Sequence, residues 1–186
     1  MYSPQEDSYM LLEQLKKYAK GKVLDMGTGS GIQALEAAKK ENVESVLAVD
    51  INKKVINELR KKIKNPKIKF IVSDLFSSVV KKYDCIIFNP PYLPQEEIKG
   101  KKIEDIELYG GRKGYEIIKK FFSEVSNYLE KDGIIIMVFS SLSAKKEVDK
   151  IIKLKGFNFE ELSRKHIFFE DLYVYLVKKV NSFFFF

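Results

Sequence analysis

Apolar and polar positions change period along this chain. Met10, Leu11, Leu12, Leu15 and Tyr18 recur at helical spacing, which predicts a first helix over residues 4–20 that stops near Gly21. Ser3-Pro4-Gln5-Glu6 has the form of a capping box with proline at the first helical position, and Asp7 or Ser8 serves equally as a start. From Lys22 onward, short apolar runs alternate with amphipathic stretches. Strands are predicted at 23–26, 45–49, 67–72, 84–88 and 134–139, with helices at 32–40, 53–64, 114–131 and 143–155 between them. Asn52 can cap the second of these helices, Asn65-Pro66 ends it, and Asp132-Gly133 reads as a turn. Two last strands are predicted at 157–165 and 172–178. Strands separated by helices imply a mostly parallel α/β sheet covered on both faces, with right-handed crossovers. No repeat or linker divides the pattern, so residues 1–180 read as one domain, with 181–186 as an apolar tail ending in Phe183 to Phe186.

Composition narrows the function classes. A chain of 186 residues with 45% hydrophobic and 13% aromatic content suits one packed domain. No apolar run has the length of a membrane span, and Met1 leads into polar residues, which predicts a cytoplasmic protein. One cysteine, Cys85, excludes a disulfide framework and a cysteine zinc cluster, and a lone His166 adds nothing to a metal case. The net charge of +7 opens a nucleic-acid reading. Only Arg60, Arg112 and Arg164 are arginine, however, and pairs such as Lys16-Lys17 and Lys61-Lys62 fall near predicted helix ends, where the dipole favours a solvated basic face.

The candidate chemistry gathers at strand ends. The apolar run Cys85-Ile86-Ile87-Phe88 is stopped by Asn89-Pro90-Pro91-Tyr92, and two prolines in a row make the turn rigid. Asn89 offers a carbonyl acceptor, as does the Pro90 backbone, and Tyr92 adds a flat wall. That combination suits a planar –NH2 group, either an amide or the amine of a base; the bland alternative is an ordinary proline turn. Upstream, Asp25 sits in the strand just before a turn with Gly27, Gly29 and Gly31, where it can meet a positively charged amino group, and the glycine spacing is neither the dinucleotide fingerprint nor a Walker loop. Asp50 ends the next strand, where a carboxylate can take ribose hydroxyls, and Asp74 ends the third beside Leu75 and Phe76, which would face an adenine ring. Any one of these acids alone reads as a cap or a solvated strand end. Three at successive strand ends describe a ligand with an amine, a ribose and an adenine but no phosphate, which is S-adenosylmethionine.

Together these motifs resemble the class I methyltransferases that modify planar amino groups. More narrowly, Tyr2-x-Pro4-x-Glu6-Asp7-Ser8, Asn89-Pro90-Pro91-Tyr92 and Gly110-Gly111-Arg112-Lys113-Gly114 look like the short archaeal and eukaryotic release-factor glutamine methyltransferases of the HemK type, over nearly the whole chain. Bacterial members of that family carry an additional N-terminal helical domain that has no counterpart in this sequence. The resemblance implies a Rossmann-like, seven-stranded sheet with a C-terminal antiparallel hairpin. It implies a cofactor site of Ser8, Asp25, Gly27, Gly29, Asp50, Asp74, Leu75 and Asn89, and no metal. Asn89, Pro90, Pro91 and Tyr92 would hold the acceptor, with Asn89, Pro90 and Tyr92 catalytic. The acceptor is expected to be the glutamine of a Gly-Gly-Gln loop in a class 1 release factor. A small zinc-containing activator subunit is expected along an edge strand at 67–72, where Lys67 and Lys69 alternating with Ile68 and Phe70 also fit a plain lysine-guarded edge. Competing expectations are an adenine methyltransferase of RNA or DNA acting on a flipped base, a lysine acceptor in the same site, and a non-catalytic adenosyl-binding subunit.

Overall fold

A computed structural model describes residues 4–94 and 109–180. The chain opens with helix α1 (Glu6–Tyr18) and then alternates β1 (Gly21–Met26), α2 (Ile32–Ala38), β2 (Val43–Asp50), α3 (Lys53–Lys62), β3 (Ile68–Val72) and β4 (Tyr83–Phe88). It continues through α4 (Glu116–Glu124), β5 (Leu129–Ser140), α5 (Lys145–Leu154), β6 (Phe157–Ile167) and β7 (Glu170–Lys179). The seven strands form one sheet in the order β3-β2-β1-β4-β5-β7-β6. The first five are parallel, while β7 runs antiparallel between β5 and β6. This is the expected mostly parallel sheet closed by an antiparallel hairpin.

Strand alternation sends successive side chains to opposite faces, so each face has its own apolar layer. Leu24, Met26, Phe76, Phe88 and Phe121 belong to one; Leu11, Leu15, Val23, Ala34 and Ile87 to the other. The chain runs outward from β1 to β3 and then returns to β4, beside β1. This reversal opens a crevice above the carboxyl ends of β1 and β4, where open α/β sheets bind ligands. Register does the rest. Met26 pairs with both Val49 and Phe88, and Asp50 pairs with Val72. Gly27, Asp50, Ser73-Asp74 and Asn89 therefore leave the sheet side by side. Helix α1 packs on α2, β5 and β7, so it is part of the same body.

Two expectations about elements are corrected. Helix α1 begins at Glu6 with Gln5 as N-cap and no side-chain cap, so Pro4 precedes the first turn; Ser3, like Tyr2, Gly100 and Phe183 to Phe186, lies outside the described residues. Its start is set by tertiary contacts of Glu6 and Asp7, since Lys165 pairs with Glu6 and Asn89 and Tyr92 bond to Asp7. The helix expected over 114–131 stops at Glu124, continues as a 3-10 turn (Val125–Asn127), and gives way to β5 at Leu129. Buried Leu129 pairs with Tyr83, and pairing then jumps to Cys85 with Ile134, so residues 130–133 bulge out of the strand. Gly133 allows this, because a Cβ there would lie 2.8 Å from the Leu129 Cδ1 atom.

Strand β3 is the sheet edge, as expected. Val46 donates to the Lys67 carbonyl and Ser73 to that of Asp50, so Ile68, Phe70 and Val72 turn their backbone groups outward. The outward carbonyl of Phe70 accepts from Arg60 Nε and Nη2 at 3.1 and 2.7 Å. Among the described residues no helix is long and apolar enough to cross a membrane, and no His, Cys, Asp and Glu cluster is placed to hold a metal ion.

Candidate active site

The crevice holds a cavity of about 530 Å³, a size that suits a small-molecule ligand. Gly27 and Gly29 form its floor, Asp50, Ile51 and Val55 one wall, Asp74 and Leu75 another, and Ser8 and Asn89 to Tyr92 close the far side. The turn after β1 needs glycine. Gly27 has a φ of 71° with open space where a Cβ would be, and Gly31 has a φ of 79° with its missing Cβ 3.0 Å from Ile63 Cδ1.

Asp50 is held for binding. Its Oδ2 accepts from Gly29 N at 3.0 Å and its Oδ1 from Asn52 N at 2.8 Å. Each oxygen keeps a further lone pair for a ligand hydroxyl. Asp25 is placed differently from its expected contact with a ligand amine. It is 2% exposed, absent from the cavity wall, and its Oδ2 accepts from Thr28 Oγ1 at 2.6 Å and Ala34 N at 3.1 Å. It braces the glycine turn from behind, and burial pushes its carboxyl up to about 7. Asp74 lines the cavity but is bonded by Lys120 at 3.0 Å. Leu75 lines it too, with a positive φ of 45°. Phe76, expected at the ring, is instead buried in the core against Phe121 and Tyr128, because the turn at Leu75 sends the two side chains apart.

At the Asn-Pro-Pro-Tyr turn, Asn89 Nδ2 and the Tyr92 hydroxyl both donate to Asp7 Oδ2 at 3.2 Å, and Ser143 Oγ donates to the Tyr92 carbonyl at 3.0 Å. The double-glycine loop cradles the same turn. A Cβ on Gly110 would lie 2.7 Å from the Pro91 carbonyl oxygen and 2.8 Å from Tyr92 Cα, and one on Gly114 would lie 2.6 Å from the Tyr92 carbonyl. Bare backbone is thus needed on both sides of the turn. Sequence reasoning did not single out Asp7 or Ile51 for the site. Ile51, 68% exposed on the wall beyond Asp50, carries a detectable signal as an apolar residue directly after a strand-end acid.

Residues 4–106 match the family model described as the methyltransferase small domain. The chain belongs to that family. It is 38% identical to a protein of Methanocaldococcus jannaschii named as a protein N5-glutamine methyltransferase, over 94% of this chain and 89% of the relative. The human methyltransferase HEMK2 is 29% identical over 84% of this chain and 79% of its own length. Against the release factor glutamine methyltransferases of Streptococcus pneumoniae and Thermodesulfovibrio yellowstonii the chain spans only 44% and 62% of the relative's length. Among solved structures, a chain of the E. cuniculi Mtq2-Trm112 complex responsible for methylation of the eRF1 translation termination factor superposes with a TM-score of 0.76. It covers 96% of this chain and 98% of that one at 24% identity, which speaks to the fold.

As a member of the methyltransferase small domain family, the protein is an enzyme whose methyl donor is S-adenosylmethionine. The cavity fits that molecule on its own chemistry. Its lining combines a carboxylate oriented by two backbone amides, the apolar side chains of Ile51 and Leu75, and glycines that admit close approach of a ligand.

Proposed function

We propose that this chain transfers a methyl group to the side-chain amide nitrogen of the glutamine in the Gly-Gly-Gln loop of a class 1 release factor. The observation that carries the reading is Asn89 at the wall of the cofactor cavity, its NH2 committed to Asp7, so that Oδ1 remains to accept from an acceptor –NH2. The glutamine methyltransferase names of the relatives support the same acceptor.

S-adenosylmethionine supplies an electrophilic methyl group. The chain's own residues must make a poor nucleophile competent, since an amide nitrogen shares its lone pair with its carbonyl. Asn89 Oδ1 and the Pro90 carbonyl each accept one hydrogen of the acceptor –NH2, while Tyr92 packs on the amide plane. Both acceptors strengthen as the nitrogen gains positive charge, so they favour the transition state over the ground state. The rigid proline turn and its glycine cradle hold the nitrogen in line. No strong base is needed, because the proton becomes acidic once the methyl is attached. Ser8, Gly27, Gly29, Asp50, Asp74 and Leu75 hold the cofactor, and Asp25 supports them from beneath.

The proposal extends to a small partner subunit along β3, in a cytoplasmic setting; zinc in that partner is part of the proposal. The edge position of β3 and the two-component composition of the E. cuniculi complex support it. Residues 1–180 act as one catalytic domain in this reading.

The test is transfer of labelled methyl to a purified release factor, wild type against a variant with alanine for the Gly-Gly-Gln glutamine, with and without a candidate partner, and with bulk RNA alongside. Label on the wild-type factor alone is expected. Label on RNA, or equal label on both factors, would displace the proposal.

A further inference from the structure

Asp7 is the second residue of α1, 82 and 85 positions from Asn89 and Tyr92, yet its carboxylate touches both. Only 2% of it is exposed. Its Oδ2 accepts from Asn89 Nδ2 and the Tyr92 hydroxyl, and its Oδ1 from the Ser8 amide. An acid in the first turn of a helix is ordinarily a solvated group favoured by the helix dipole. That role explains an acid at the start of α1. It does not explain one turned inward onto two residues of another element, where burial costs free energy unless hydrogen bonds offset it.

A side-chain carboxamide has two nearly isosteric orientations that exchange its oxygen and its NH2. With the NH2 outward, Asn89 would set donor against donor at an incoming amide. A carboxylate only accepts, so it selects the orientation with Nδ2 facing α1 and Oδ1 facing the cavity. The same bond draws electron density toward Oδ1, since hydrogen bonds in series polarise one another. We infer that Asp7 is a positioning residue for methyl transfer: it orients the Asn89 carboxamide, strengthens Oδ1 as an acceptor, and pins Tyr92 through the phenol. This rests on the proposed function of the site. It also makes α1, which lies outside the strand-and-helix alternation, a working part of the acceptor pocket.

The test compares wild type, Asp7→Asn, Asp7→Ala, Asn89→Ala and the Asp7→Asn/Asn89→Ala double variant. Single-turnover labelling of the release factor is read beside cofactor affinity by calorimetry and thermal melting. Asp7→Asn keeps the shape and an acceptor oxygen while removing the charge. It is expected to slow transfer about tenfold to a hundredfold, the weight of one charge-assisted hydrogen bond, with cofactor affinity within about threefold of wild type. In the Asn89→Ala background the same change should cost much less than in the wild type, because only the hold on Tyr92 is left for Asp7 to act through. Additive losses in the double variant, a loss of cofactor affinity in step with the rate, or a wild-type rate for Asp7→Asn would each overturn the inference. If Asp7→Ala melts early, Asp7→Asn and the double variant still decide. A wild-type enzyme that labels no release factor overturns the proposed function, and the inference with it, before any variant is compared.

Discussion

At the scale of single residues, the cavity divides cofactor binding from acceptor handling, and substitutions should separate them. Asp50→Ala removes a carboxylate fixed by Gly29 and Asn52 and is expected to weaken cofactor binding about tenfold to a hundredfold by calorimetry. Asn89→Ala should instead lower turnover by about a hundredfold or more, with a much smaller change in cofactor affinity, as expected for a group that acts on the transition state. Equal losses of affinity in the two variants would refute the division. Gly110→Ala tests the cradle. The added methyl would meet the carbonyl oxygens of Gly114 and Pro91 at 2.6 and 2.7 Å and Tyr92 Cα at 2.8 Å, all backbone atoms. Backbone on both sides leaves no flexible group to give way, so the Asn-Pro-Pro-Tyr turn must move. A displacement of about an ångström costs on the order of a hundredfold in rate. Kinetics on the folded variant, with melting as the control, would show it.

At the scale of elements, the C-terminal hairpin carries a feature the parallel strands do not. Its tip between β6 and β7 holds Phe168 and Phe169, 92% and 98% exposed, and Phe168 has a φ of 45°. A non-glycine residue in the left-handed region costs about 1 kcal/mol, less for asparagine, whose short side chain tolerates it. The Phe168 ring buries almost nothing in return. Phe168→Asn should therefore raise stability by about 0.5–1 kcal/mol, seen as a rise of about 2 °C in melting temperature. A fall would mean that the ring makes a stabilising contact in solution. The edge strand β3 shows a different device: the guarding charge acts through Arg60, which reaches from α3 to the Phe70 carbonyl, beside the lysines that alternate along the strand.

At the scale of the whole molecule, most of the architecture was legible because the site depends on strand ends, and strand ends are local in sequence. Asp50, Asp74 and Asn89 each follow an apolar run, and parallel pairing brings them together without further instruction. What the sequence hid was non-local or a matter of facing. Asp7 meets Asn89 only through the docking of α1; Phe76 turns into the core because of one left-handed residue; the β5 bulge follows from pairing with Tyr83. Asp25 belongs to the same class. Its place in the strand was legible, but its enclosure beneath the glycine turn is a property of the folded body, and it yields a global prediction. Burial raises its carboxyl from an ordinary value near 3.8 to about 7, so the folded state holds a proton that the unfolded chain has released between those values. Native protein then binds more protons than unfolded protein, and the Asp25 contribution to stability must fall as pH rises from about 4 to about 7. Asp25→Asn removes that titration while keeping an acceptor for Thr28 and Ala34. Urea unfolding at a series of pH values should show the wild type losing stability relative to the variant across that window, with the difference levelling off above it. Parallel curves would place the Asp25 carboxyl in its ordinary range and leave it charged beneath the cofactor loop.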